Sequence, residues 1–180
     1  VIPDDEGIYY ISSFAFCNYT TDMEVEVDDD DWDANKTPGQ NTTITSITIP
    51  YGVEYIQRQA FDSCINLEKV TFIGKDGKNP ISKTNPGSVS YIENRVFRNC
   101  EKLTTIDLSE IEVIGWNAFS GCTSLNNIDI SKCYSLGSSA FSGCTSLTSI
   151  DLTTLRNASN SVFSGCTSLK DVTLGRHTKL

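Results

Sequence analysis

Ala118-Phe119-Ser120-Gly121-Cys122-Thr123-Ser124-Leu125 decides the fold, because the same eight residues return at 140–147 and, with Val162 for alanine, at 162–169. Working outward, the frame Phe-x-x-Cys-x-x-Leu occurs five times. Its phenylalanines are Phe61, Phe97, Phe119, Phe141 and Phe163, and its cysteines are Cys64, Cys100, Cys122, Cys144 and Cys166. Leu67, Leu103, Leu125, Leu147 and Leu169 follow, then Val70, Ile106, Ile128, Ile150 and Val172, then Phe72, Leu108, Ile130, Leu152 and Leu174. From Phe97 onward the period is a strict 22 residues. Ile44, Ile47 and Ile49 are the remnant of an earlier copy. Phe61 and Phe97 lie 36 apart, so one unit carries an insertion of about fourteen residues, near 73–88.

The match extends upstream of each phenylalanine. Val53, Val89, Ile111, Cys133 and Leu155 form one column, and Ile56, Ile92, Ile114, Leu136 and Ala158 another. Leu-x-x-Ile-x-Leu ends in a period-2 alternation, which predicts a short strand with one apolar face. Ala-Phe-x-x-Cys suits one short helical turn, and Ser-Gly-Cys-Thr-Ser supplies turn chemistry. A single unit cannot bury its apolar face, but stacked copies can. Identical strands one repeat apart then pair in parallel, giving a sheet of about six strands.

These residues resemble the BspA-like leucine-rich repeats, cysteine-containing repeats of bacterial and protozoan surface proteins, over residues 44–174. The resemblance implies an α/β leucine-rich-repeat solenoid. It would be a curved right-handed superhelix with a parallel β-sheet on its concave face and short helical turns opposite. It also implies extracellular or cell-surface display, and binding or adhesion rather than catalysis.

Residues 1–33 hold eleven carboxylates and no Lys or Arg, against a net charge of −9 for the whole chain. We read 1–40 as a β-rich acidic N-terminal cap and 41–180 as about six repeats of 22–23 residues. Net negative charge argues against binding a phosphate backbone. No apolar run reaches the length of a membrane span. The chain opens on Val1 without a signal peptide, as a mature form or a fragment would. The lone His177, and the lack of a nucleophile–base pair, metal motif or phosphate loop, point away from an enzyme and from any cofactor. Five cysteines share one column between Phe and Leu, so we expect buried, reduced thiols acting as small hydrophobes. Cys133 is core filler, and Cys17 has no evident partner. Asn18, Asn35, Asn41 and Asn157 begin Asn-x-Ser/Thr triplets. Of these, Asn35 and Asn41 fall in an expected surface loop open to glycosylation.

Three features are candidates for binding. The outward strand residues, among them Lys69 and Thr105, are small and polar, with no aromatic. Asp107, Asp129 and Asp151 stack one per repeat, which suits a cation, a basic partner or tolerance in water. The insertion adds Lys75, Lys78 and Lys83 around an Asp-Gly turn; it either binds or decorates. Asp28, Asp29, Asp30 and Asp31 form a weak calcium candidate whose spacing fits no defined loop. The expected function is a noncatalytic protein-recognition or adhesion module of a secreted or cell-surface protein, with a protein, cell-surface or matrix ligand. A subunit stacking head to tail in an extracellular filament or surface layer is the alternative. The last repeat is expected to be covered, by further repeats or another molecule, since it exposes an apolar cross-section.

Overall fold

The computed structural model describes residues 2–3, 9–13, 15–16, 39–82, 84 and 86–176. The calcium candidates Asp28–Asp31, together with Lys83, Cys17, Asn18, Asn35 and His177, lie outside the described residues. Twelve strands are described. They are β1 (Ile2–Pro3), β2 (Tyr9–Ile11), β3 (Ser46–Ile49), β4 (Val53–Ile56), β5 (Lys69–Phe72) and β6 (Tyr91–Ile92). After these come β7 (Thr105–Ile106), β8 (Val113–Ile114), β9 (Ser135–Leu136), β10 (Ser149–Leu152), β11 (Asn157–Ala158) and β12 (Asp171–Leu174). They wind into a parallel β-solenoid of about six turns.

Each turn contributes to two ladders. The expected ladder is built from Leu-x-x-Ile-x-Leu and appears as β3-β5-β7 and β10-β12, all parallel. Between the two pieces, Asn126-Asn127-Ile128-Asp129 does not form a strand. Asn and Asp are poor strand formers, although Ile130 stays buried in its column. The second ladder is larger. Its order is β1-β2-β4-β6-β8-β9-β11, parallel throughout except for the antiparallel β1–β2 pair. It is built from the Val53 and Ile56 columns, which the sequence marks as core but not as strand.

Among the described residues there is no helix, so the expected helical turns are replaced by another structure. The reason lies in two backbone positions per turn. Gln59, Arg95, Asn117, Ser139 and Ser161 all have φ between 53° and 61°. Four residues later, Ser63, Asn99, Gly121, Gly143 and Gly165 are left-handed too. A right-handed helix cannot pass through a left-handed residue every fourth position. The chain instead makes successive tight turns. Asp62 N bonds Gln59 O and Cys64 N bonds Phe61 O, while the alternate amides of Gln59, Phe61 and Ser63 reach Asn94, Val96 and Arg98 on the next rung. Backbone hydrogen bonds therefore link the rungs through the turns as well as through the strands.

Side chains stack in the same way. Phe61, Phe97, Phe119 and Phe141 are fully buried, with ring centroids 5.2–5.4 Å apart along the column. Phe163 caps the described end of the stack, 5.8 Å from Phe141 and only partly buried. Burying each ring stabilises by about 1.5–3 kcal/mol, and stacking adds about 0.5–1.5 kcal/mol. Phe16 stands at the other end of the column, stacked on Phe61 at 4.9 Å. Ile11-x-x-x-Ala15-Phe16 copies Ile56-x-x-x-Ala60-Phe61, and Phe16 N bonds Ala60 O as Phe61 N bonds Val96 O. Residues 9–13 and 15–16 thus behave as half of a repeat. At the far end, Val172 and Leu174 of β12 are 47% and 54% exposed.

Candidate functional site

Six cysteines are free among the described residues, and the thiol ladder is built from backbone as much as side chains. Cys100 Sγ donates to Phe61 O at 3.2 Å, Cys122 to Phe97 O at 3.1 Å, Cys144 to Phe119 O at 3.3 Å and Cys166 to Phe141 O at 3.1 Å. Burial pushes the Cys144 thiol up to about 12 and Cys133 to about 11. Burial first, then Asp62, pushes Cys64 up to about 12. Protonated, buried thiols are not nucleophiles.

The aspartate row has a local role. Asp107 Oδ1 accepts from Ser109 N, Asp129 Oδ1 from Ser131 N and Asp151 Oδ1 from Thr153 N, at 2.9–3.0 Å. Each carboxylate caps the corner that leads from the first ladder toward the second, the side chain–backbone turn that Asp favours. Among the described residues, no group of three His, Cys, Asp or Glu could hold a metal ion. Lys69 is exposed on β5, between Ser46 and Thr105. Lys75 and Lys78 stand apart from that face, on the insertion. There Asp76 Oδ1 accepts from the amides of Lys78 and Asn79, both at 2.9 Å, and Gly77 takes φ 70°. The insertion is anchored by Ile81, buried and bonded through its amide to Phe72 O.

Asn41, expected on an open loop, is buried. Its Nδ2 donates to Phe16 O at 2.8 Å, and its Oδ1 accepts from the amides of Thr43 and Ile44. Asn157 is exposed on β11. A second buried polar group holds Asp62, which accepts from Arg98, Gln59 and Ser63, with the ion pair to Arg98 at 2.7 Å. Nearby, the Arg95 guanidinium lies 4.5 Å from the centre of the Trp116 ring.

The side chains best suited to recognition lie on the second ladder. Its outward residues follow in register from Tyr55 to Tyr91 to Val113 to Ser135 to Asn157. Tyr55 is 45% exposed and Tyr91 is half-buried one rung away. Burial, then the neighbouring Glu93, raises the Tyr91 phenol. Tyr51, 43% exposed, stands just before β4. The preceding row runs Glu54, Ser90, Glu112, Tyr134 and Arg156, its later members linked by Glu112 N to Ser90 O, Tyr134 N to Glu112 O and Arg156 N to Tyr134 O. Tyrosine supplies wide contact area with a polar tip, so the aromatics missing from the first ladder are found here. The available signal was a tyrosine two residues after Val53 or Val89, and one after Cys133.

Comparison with known proteins gives concordant results. A family described as the BspA type leucine rich repeat region matches residues 35–77 and 76–180, in six copies. A leucine-rich repeat protein of T. pallidum superposes with a TM-score of 0.59 and 26% identity, covering 72% of this chain and 56% of that one. A leucine-rich repeat protein from Bacteroides ovatus gives 0.51 and 26%, covering 74% of this chain and 38% of that one. The chain therefore spans about half the length of the first and less of the second. No curated protein matches the sequence.

Proposed function

We propose a function from the premise that this chain belongs to the BspA-type leucine-rich repeat family: it is a noncatalytic protein-recognition module of a secreted or cell-surface protein. Leucine-rich repeats are in general protein-interaction modules. Display at a surface, and an adhesive role, are what the family resemblance implies. A curved right-handed course would place the first ladder on the concave face.

The observation that carries this reading is the tyrosine-bearing outer face of the seven-stranded sheet. Tyr55 and Tyr91 sit on consecutive rungs, held by parallel backbone pairing, with Tyr51 at the edge and Glu54 and Glu112 beside them. Rungs about 4.8 Å apart fix the rings at a spacing a flexible loop could not hold. A rigid aromatic surface with a polar border has the composition of a protein-binding hot spot.

The test compares the unaltered chain with two variants, Tyr55→Ala/Tyr91→Ala and Lys75→Ala/Lys78→Ala, as immobilised baits for secreted and surface proteins. A protein held by the unaltered chain and the lysine variant, and held roughly tenfold more weakly by the tyrosine variant, is the expected result. Equal retention by all three baits would reject this face.

A further inference from the structure

Along the second ladder the outward charge changes sign. The row that begins with Glu54 and passes Glu112 continues into Tyr134 and Arg156. Lys132 replaces Glu110 at the adjacent column, 22 residues on. Lys132, Tyr134, Thr153, Thr154 and Arg156 line an open cleft of about 430 Å³. We propose that this cleft binds a carboxylate side chain of an acidic peptide segment in a protein partner. The proposal rests on the recognition reading above and adds the chemistry of the ligand.

The geometry supports an anion. Lys132 Nζ lies 2.7 Å from Glu110 Oε2, which fixes its position at the rim while its side chain stays 54% exposed. An ammonium has three donors, so two remain for a ligand. Arg156 is exposed and carries no ion pair among the described residues. Its planar fork matches a carboxylate with two parallel bonds. The Tyr134 ring, 41% exposed, offers an apolar wall beside it. Thr154 Oγ1 is oriented by donating to Cys133 O at 3.0 Å. β12 pairs with β10 from Asp171 to Leu174, and continuing that register sets Arg176 beside Thr154. Glu110 is paired with Lys132, Asp129 Oδ1 accepts from Ser131 N and Asp151 Oδ1 from Thr153 N, and Glu112, exposed one rung before Tyr134 on the same row, marks the acidic side of the cleft. A peptide suits this cleft because it is open and its lining spans two rungs, from Lys132 and Tyr134 on one to Thr153, Thr154 and Arg156 on the next, more than a single carboxylate would cover.

The test uses the full chain and a blocked hexaglutamate peptide, with hexaglutamine and a sulfated oligosaccharide as comparison probes, followed by calorimetry and amide chemical shifts. Hexaglutamate should bind saturably at low ionic strength and weaken as salt is raised. Shifts should centre on 132–134 and 153–156. Arg156→Glu should weaken binding roughly tenfold, whereas Lys78→Glu, an equal charge change on the insertion, should leave it unaltered. Equal weakening by both variants would show diffuse attraction and overturn the proposal. So would binding of the sulfated oligosaccharide alone, or of hexaglutamine as tightly as hexaglutamate. Arg156 has no ion pair among the described residues, so a melt matching the unaltered chain establishes that the variant is folded. Failure here, with the tyrosine face still retaining a partner, would remove the acidic ligand and leave protein recognition standing.

Discussion

At the scale of the residue, the repeated cysteine and phenylalanine carry the largest consequences. Each buried thiol titrates higher in the folded chain than at its ordinary value of 9.0, with Cys144 reaching about 12. Folding therefore favours the protonated form, and its stabilisation is complete below pH 9 and is lost as pH rises toward 12. Melting temperature should be level from about pH 6 to 9 and fall above it; a melt that falls equally in a variant with the five column cysteines changed to alanine would contradict this origin. Thiol reagents should miss the buried Cys64, Cys100, Cys122 and Cys144 in the native chain, reach the partly buried Cys166 more readily, and find all five after denaturation. Phe119 is fully buried between two rings, so Phe119→Ala should cost about 3–5 kcal/mol in urea unfolding. Phe16, 40% exposed at the end of the same stack, should lose only about 1–2 kcal/mol.

At the scale of the element, the turn is set by backbone conformation. Ser139 holds φ 56° and its side chain is not buried. Ser139→Val should then cost about 1–2 kcal/mol from backbone strain alone, and Ser139→Gly should stay within about 0.5 kcal/mol of the unaltered chain. Helical periodicity and a chain of tight turns place the same residues inward, so Ala-Phe-x-x-Cys gave no means of telling them apart. The first ladder was legible because its apolar residues alternate. The second was not, because Val53-Glu54-Tyr55-Ile56 buries its ends and exposes its middle pair, a period of three that hides a strand. The tyrosine face was missed for that reason. Lys69 and the three corner aspartates could be singled out from the alternation of that first ladder, although of the aspartates only Asp151 lies within a described strand. The insertion was visible as a break in period, but its anchor was not. Ile81 is isolated in sequence, yet its side chain joins the hydrophobic core and its amide bonds Phe72 O. Ile81→Ala should cost about 2 kcal/mol, whereas Lys75→Ala and Lys78→Ala should cost almost nothing.

At the scale of the whole molecule, each rung touches only its neighbours, and stability should decline toward the sparsely covered end. Amide exchange should be slowest around Phe97 and Phe119 and fastest in β12, where Val172 and Leu174 face solvent. Uniform protection from end to end would mean a single cooperative block instead. The same neighbour-only bonding has a mechanical side. A load applied along the stacking axis meets the hydrogen bonds between one rung and the next, and these part in sequence, like a zip, rather than together. Each rung released from Phe97 onward yields 22 residues of slack, about 75 Å of extended chain. A solenoid built this way should lengthen under tension one rung at a time while the rungs still stacked stay folded.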